Sequence, residues 1–157
     1  MKTREQSIRQ LALQIFDMSK RTWLESQRER MKGGFDLSES EFLALDALDR
    51  VPSLSVGDLR RRVGVLPAQM SRVIKALEQR YDEKLVLCAI NRTDKRKIDV
   101  SIAPRGRRAV AAYRRAKIMT SIEALSVMSD EDLAAFSACL AKIDAARPTS
   151  RSGGKVT

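Results

Sequence analysis

The chain has 157 residues, 43% hydrophobic and 32% charged, enough for one domain that buries roughly 68 to 70% of its unfolded surface. Thirty lysines and arginines against 20 acids leave a formal charge of +10, so a compact fold carries a positive surface suited to a polyanion. Histidine is absent and Cys88 and Cys139 form no Cys-x-x-Cys pair, which argues against a metal site, a Ser-His-Asp site and an enzyme; no cofactor is expected. The start is charged and the longest apolar run, Leu85–Ile90, is far below the roughly 20 residues of a membrane helix. A cytoplasmic protein with no membrane partner and free thiols is therefore expected.

Residues 5–30 space Ile8, Leu11, Ile15, Met18 and Trp23 as an amphipathic helix, which Gly33 and Gly34 would end. Ser38 with Glu41 makes a capping box, and Phe42, Leu45 and Leu48 give the buried face of a second helix that stops before Pro52. Ser55 with Asp58 repeats the start signal for a short third helix, with Val56, Leu59 and Val63 inward and Arg60, Arg61 and Arg62 outward. Gly64 breaks it, and Pro67 opens the next helix at its first position after a three-residue turn.

That fourth helix reads as a recognition helix. Met70, Val73, Ile74, Leu77 and Tyr81 follow the spacing of a buried stripe, while Ala68, Gln69, Arg72, Lys75 and Gln79 point the other way without a carboxylate among them. Residues 84–90 and 97–102 are short aliphatic runs around the polar tip Asn91 to Arg96, a β-hairpin. In the second run Ile98, Val100 and Ile102 alternate with Lys97, Asp99 and Ser101, the period of a strand with one wet face. The predicted architecture is mainly α with a small β-hairpin: a winged helix-turn-helix core over about 38–103.

After Pro104 and Gly106 a long helix runs to about Val127, and Ser129 with Asp132 starts a last one bearing Leu133, Phe136, Leu140 and Ile143. Residues 147–157 read as a disordered tail, leaving 1–146 as one domain. The helices over 5–30 and 104–146 exceed what a winged helix needs, and their bare stripes predict a homodimer. Two-fold symmetry would set two recognition helices about 34 to 36 Å apart on a palindromic stretch of double-stranded DNA.

The chain resembles the MarR (multiple antibiotic resistance regulator) family over about residues 5 to 146. The resemblance rests on Leu54-Ser55-Val56-Gly57-Asp58-Leu59, Ser71-Arg72-Val73-Ile74 with Leu77-Glu78, Asp94-Lys95-Arg96, and Ile102-Ala103-Pro104-Arg105-Gly106. It implies a dimeric DNA-binding repressor released by a small effector molecule or by thiol oxidation. It also implies that Arg96 enters a minor groove and that Asp94 orients a nearby arginine. Against the family pattern, Tyr81-Asp82 replaces a usual glycine, the stretch from Leu77 to Asp94 is longer, Leu66 replaces a polar cap and Ala103 a frequent threonine. A lengthened or displaced wing follows as an expectation.

Gln69 can bond an adenine edge through two hydrogen bonds and Arg72 a guanine or a phosphate; the alternative is a solvated helix face. Ser71 bonds either a phosphate or its own helix, and Lys75 a phosphate. Ten basic residues against Asp94 and Asp99 between residues 91 and 117 make Arg92 and Lys95 phosphate contacts as well; the alternative is a flexible charged turn. Cys88 reads as a small buried hydrophobe or, if Arg92 and the wing lysines lower its pKa, as a thiol sensor; Cys139 reads as dimer packing or a second sensor. Met18, Trp23, Met31 and Phe42 line a ligand pocket or merely pack. The rival functions are a non-specific nucleic-acid binder, which +10 also suits, and an interaction module that has lost DNA binding.

Overall fold

The structure, a computed structural model, describes residues 2–32 and 35–146. Gly33, Gly34 and the tail from 147 lie outside the described residues. The chain divides into two compact units, one up to Thr120 and one from Ser121.

In the first unit, α1 spans Arg4–Lys32, α2 Glu39–Asp49, β1 Leu54–Ser55, α3 Val56–Val63, α4 Pro67–Gln79, β2 Val86–Ile90 and β3 Ile98–Ile102; α5, Pro104–Leu125, begins here. The local signals act as expected at three helix starts. The Ser38 hydroxyl accepts from Glu41 N at 3.3 Å and the Glu41 carboxylate accepts from Ser38 N at 2.8 Å, a complete capping box. Ser55 accepts from Asp58 N at 3.1 Å. Pro67 heads α4, and Leu66 supplies no side-chain cap. Helix α3 ends on Gly64 at φ 75°, a left-handed conformation that costs a side chain about 1 kcal/mol or more.

Two boundaries differ from expectation. The stripe drawn through Tyr81 overruns α4, which stops at Gln79; Tyr81 lies beyond the helix, half-buried, its ring 6.1 Å from that of Phe35. The hairpin is part of a three-stranded antiparallel sheet in the order β1-β3-β2, with Leu54 opposite Val100 and Ser55 opposite Asp99. Two residues are too few to show alternation, and Ser55 was visible only as a helix cap. The long stretch after Leu77 turns before β2, where Leu85 N donates to Leu77 O at 2.8 Å and Ala103 N donates to Leu85 O at 3.0 Å. These bonds tie the base of the wing to both α4 and α5.

The core joins Leu45 and Leu48 of α2, Leu59 of α3, Met70, Val73, Ile74 and Leu77 of α4, Val86, Val100 and Ile102 of the sheet, and Ala109, Val110 and Tyr113 of α5. Gly106 is buried where α5 meets the wing; a Cβ there would sit 2.2 Å from Leu85 O and 2.9 Å from Ile102 Cγ1. Along α1, Ile8, Leu11, Ile15, Met18 and Trp23 are 48 to 58% exposed. A second apolar row, Leu13, Phe16 and Leu24, is as bare and was not singled out in the sequence.

In the second unit, α6 spans Asp130–Ala146, begun by Ser129, whose hydroxyl accepts from Asp132 N at 3.2 Å. None of its residues is buried; Phe136, Leu140 and Ile143 are exposed and Leu133 is half-buried. No described helix is long and apolar enough to cross a membrane.

Candidate nucleic-acid interface

Helix α4 separates its two faces cleanly. Met70, Val73, Ile74 and Leu77 anchor it in the core, which turns Ala68, Gln69, Ser71, Arg72 and Lys75 outward, all exposed. Gln69 Nε2 donates to Ser40 Oγ on α2 at 3.3 Å. The Ser71 hydroxyl donates to Pro67 O at 3.2 Å, so in the free chain it serves its own helix. Arg72 and Lys75 have no ion-pair partner among the described residues and can meet an incoming anion without first breaking a bond.

The tip of the wing is an ordered turn. Asn91 Oδ1 accepts from Thr93 N at 2.9 Å and from Asp94 N at 2.8 Å, while its amide donates to Asp99 Oδ2 at 2.8 Å. These bonds shape a tip from which Arg92, Lys95 and Arg96 project, exposed. Asp94 does not hold an arginine side chain as the resemblance implied. Its Oδ1 accepts from Arg96 N at 3.1 Å and its Oδ2 lies 3.5 Å from Lys97 Nζ. The tight turn folds the carboxylate back on its own backbone, leaving the Arg96 guanidinium outside.

Between the wing and the start of α3 lies a cleft of about 520 Å³ lined by Val56, Gly57, Asp58, Arg61, Arg96 and Lys97, with Ser55 and Ile98. Hydrogen bonds from the Ser55 hydroxyl, at 2.6 Å, and from Arg61 hold the Asp58 carboxyl below its usual range, and nearby Lys97 acts the same way. The cleft therefore holds one anion against three cations. Arg61 and Lys97 were not among the site residues read from the sequence. The run Arg60 to Arg62 was visible as an outward face and Lys97 as the wet side of a strand, but their convergence depends on the packing of α3 against the sheet.

The thiols correct one expectation. Cys88 is half-buried, and its pKa is pushed from 9.0 up to about 11, first by burial and then by the Glu78 carboxylate, with Lys84 opposing. Arg92 and the wing lysines do not activate it; the acid acting on it is the Glu78 that α4 turns away from its outward face. Cys139 is exposed rather than packed within the chain.

Two smaller cavities share Glu39 of α2 and Tyr113 of α5 in their linings. One, about 290 Å³, is lined by Trp23, Asp36, Leu37, Ser38, Glu39, Arg80 and Tyr113; the other, about 250 Å³, by Glu39, Phe42, Leu43, Tyr113, Arg114, Lys117 and Ile118. Trp23 and Phe42 thus do line cavities, and the Phe42 and Tyr113 rings stack at 4.1 Å. Met18 lines neither of the two, and the side chain of Met31 lies outside the described residues. Arg80, the residue that closes α4, donates to Glu41 Oε2 and to the Tyr81 hydroxyl, each at 2.7 Å, and to Asp36 O.

Comparison with known proteins agrees with this geometry. Residues 35–80 match the family model described as MarR family. The fold is similar to that of the YusO protein of Bacillus subtilis, at 21% identity and a TM-score of 0.77, covering 93% of this chain and all of that one. It is similar to a MarR family protein from Bacillus stearothermophilus, at 16% identity and TM-score 0.75, covering 91% and 96%. A mutant of MepR from S. aureus bound to an oligodeoxyribonucleotide matches at 16% identity and TM-score 0.64, covering 86% and 96%. No curated protein matches the chain by sequence.

Proposed function

We propose that this chain, whose residues 35–80 match the MarR family model and whose fold is similar to that of MarR family proteins, is a sequence-specific DNA-binding transcriptional regulator that represses as a homodimer on a palindromic operator. The observation that carries this reading is the outward face of α4: Gln69, Arg72 and Lys75, exposed, free of carboxylates and set beside an ordered basic wing. Arg72 and Gln69 read base edges in the major groove, with Ala68 in apolar contact beside them. Arg96 enters the flanking minor groove, where negative potential concentrates. Ser71, Lys75, Arg92, Lys95 and, from the cleft, Arg61 and Lys97 meet phosphates, which position the protein without reading sequence.

The bare apolar faces of α1 and α6 support the dimer, since a monomer rarely leaves such long stripes to water. Release by a small effector is supported by the two cavities, each with the Tyr113 ring in its lining. Release by oxidation of Cys88 is disfavoured, because a thiol with a pKa of about 11 is almost wholly protonated at neutral pH.

The test is fluorescence anisotropy with duplexes selected from a random library, in excess random competitor and across a salt series. Arg72→Ala should weaken binding to the selected duplex by about tenfold or more and binding to random DNA only slightly, as expected for a base contact worth about 1 to 3 kcal/mol. Equal losses on both would overturn base readout and leave the non-specific binder, which the charge of +10 also suits, as the better description.

A further inference from the structure

We infer that Ser40, at the start of α2, is a specificity-positioning residue: its hydroxyl holds the Gln69 side chain in place so that Gln69 meets adenine already immobilised. The inference rests on the reading of Gln69 as a base contact. Gln69 Nε2 donates to Ser40 Oγ at 3.3 Å, a bond between residues 29 apart in sequence that joins two different helices on the exposed side of the domain.

The chemistry of the amide explains why this contact matters. A glutamine on a helix has three side-chain torsions, and its last one chooses between two orientations that exchange the oxygen and the nitrogen. Adenine demands one of them. Its N6 amino group donates and its N7 accepts, so the glutamine must offer Oε1 to N6 and one N–H of Nε2 to N7. The nitrogen carries two hydrogens. Spending one on Ser40 restrains the side-chain torsions, and still leaves the second hydrogen and the whole of Oε1 for the base. Ser40 thus immobilises the reading side chain without consuming either group that adenine uses.

The support for Ser40 is itself rigid. It is half-buried in the first turn of α2, one residue from Glu41, whose carboxylate is buried, completes the capping box with Ser38 and is held by Arg80 at 2.7 Å. Arg80 closes the other end of α4. The same short stretch, residues 38–41, therefore grips both the reading side chain near the start of the recognition helix and the residue that terminates it.

Three variants of the full chain test this: Ser40→Ala, which removes the acceptor, Ser40→Thr, which keeps it, and Gln69→Ala. Each is measured by anisotropy on a duplex selected from a random library by the wild-type protein, on versions substituted one base pair at a time, and on a random duplex. At the position where Gln69→Ala abolishes the preference for adenine, Ser40→Ala should reduce that preference by between about twofold and tenfold, the effect of one side chain left to be immobilised on binding. Ser40→Thr should restore it, Ser40→Ala should do nothing further in the Gln69→Ala background, and binding to the random duplex should stay unchanged. The proposal is overturned if Ser40→Ala leaves the preference intact while Gln69→Ala removes it, or if Ser40→Ala weakens selected and random duplexes equally, as a phosphate contact would. If Gln69→Ala itself shifts no position, the reading of Gln69 as a base contact fails and the role of Ser40 fails with it.

Discussion

The pair formed by Glu41 and Arg80 lends itself to a double-mutant cycle whose size can be worked from the geometry. The Glu41 side chain is only 6% exposed, and its carboxylate has two partners, Ser38 N at 2.8 Å and the Arg80 guanidinium at 2.7 Å. Arg80→Met leaves a buried carboxylate with a single N–H, and removing one member of a buried pair costs about 3 to 5 kcal/mol. Arg80 is itself 42% exposed, so water reaches the site and about 2 to 3 kcal/mol is the better figure. Glu41→Gln keeps an oxygen for Ser38 N but loses the charge-assisted bond, a loss of about 1 kcal/mol. In the double variant no charge is stranded, so the two losses should not add: a coupling of about 1 to 2 kcal/mol is expected. Urea unfolding followed by circular dichroism, at one fixed protomer concentration because association contributes to stability, measures all four corners of the cycle. Additive losses would refute the reasoning and reduce the pair to two independent surface residues.

Three further outcomes follow from single sites. Gly106→Ala forces a methyl to within 2.2 Å of Leu85 O, the carbonyl that binds Ala103 N, so it should destabilise the chain by about 3 kcal/mol or more in thermal unfolding; a loss below 1 kcal/mol would mean that the wing and α5 shift apart freely. Leu66→Ser supplies the cap that α4 lacks and should stabilise the fold by about 1 kcal/mol, read as a higher urea midpoint at unchanged slope; no gain would show that its N-terminal N–H groups are satisfied otherwise. Cys88, with a folded pKa of about 11 against 9.0, favours the protonated form, so its contribution to stability is complete below pH 9 and is lost as pH climbs toward 11. Iodoacetamide labelling read by mass spectrometry at pH 8 should therefore modify exposed Cys139 first, and equal rates at both thiols would contradict a protonated Cys88.

What the sequence made legible divides along the range of the interactions. Local rules of three or four residues placed Ser38, Ser55, Pro67 and Gly64 at their helix ends, because each acts on its own backbone and needs no partner elsewhere. The exposed face of α4 was legible for the same reason: Met70, Val73, Ile74 and Leu77 mark the inside, and the outside follows from helical geometry. Contacts between distant residues were hidden. Strand β1 exists only because Leu54 meets Val100, the bond from Gln69 to Ser40 spans 29 residues, and the cleft with Arg61 and Lys97 forms only once α3 packs beside the wing. The alternative reading of Cys88 as an activated thiol looked to neighbours in sequence, Arg92 and Lys95, whereas the carboxylate that acts on it is that of Glu78 on α4.

The same division explains how a charge of +10 becomes a directed surface. Acids are not scarce in the first unit, but they are engaged away from the outward face of α4. Asp46 and Asp49 bind Arg114, with Arg50 and Arg107 on the same two carboxylates; Glu83 lies near Arg105 and Arg108; Glu41 binds Arg80. Those arginines are neutralised where α5 and the end of α4 are fastened to the core. Asp58, in the cleft, and Asp94, at the wing tip, neutralise Arg61 and Lys97 in part. On α3, α4 and the wing, Arg62, Arg72, Lys75, Arg92, Lys95 and Arg96 stay exposed and without an ion-pair partner among the described residues. The pairing on α5 and at the end of α4 leaves the outward faces of α3, α4 and the wing with a run of unpaired cations, and exposed charges of this kind are the ones that salt screens. Binding to DNA should accordingly fall more steeply with salt than stability does, because the pairs that fasten the core are close and partly buried while the unpaired cations meet phosphates through water.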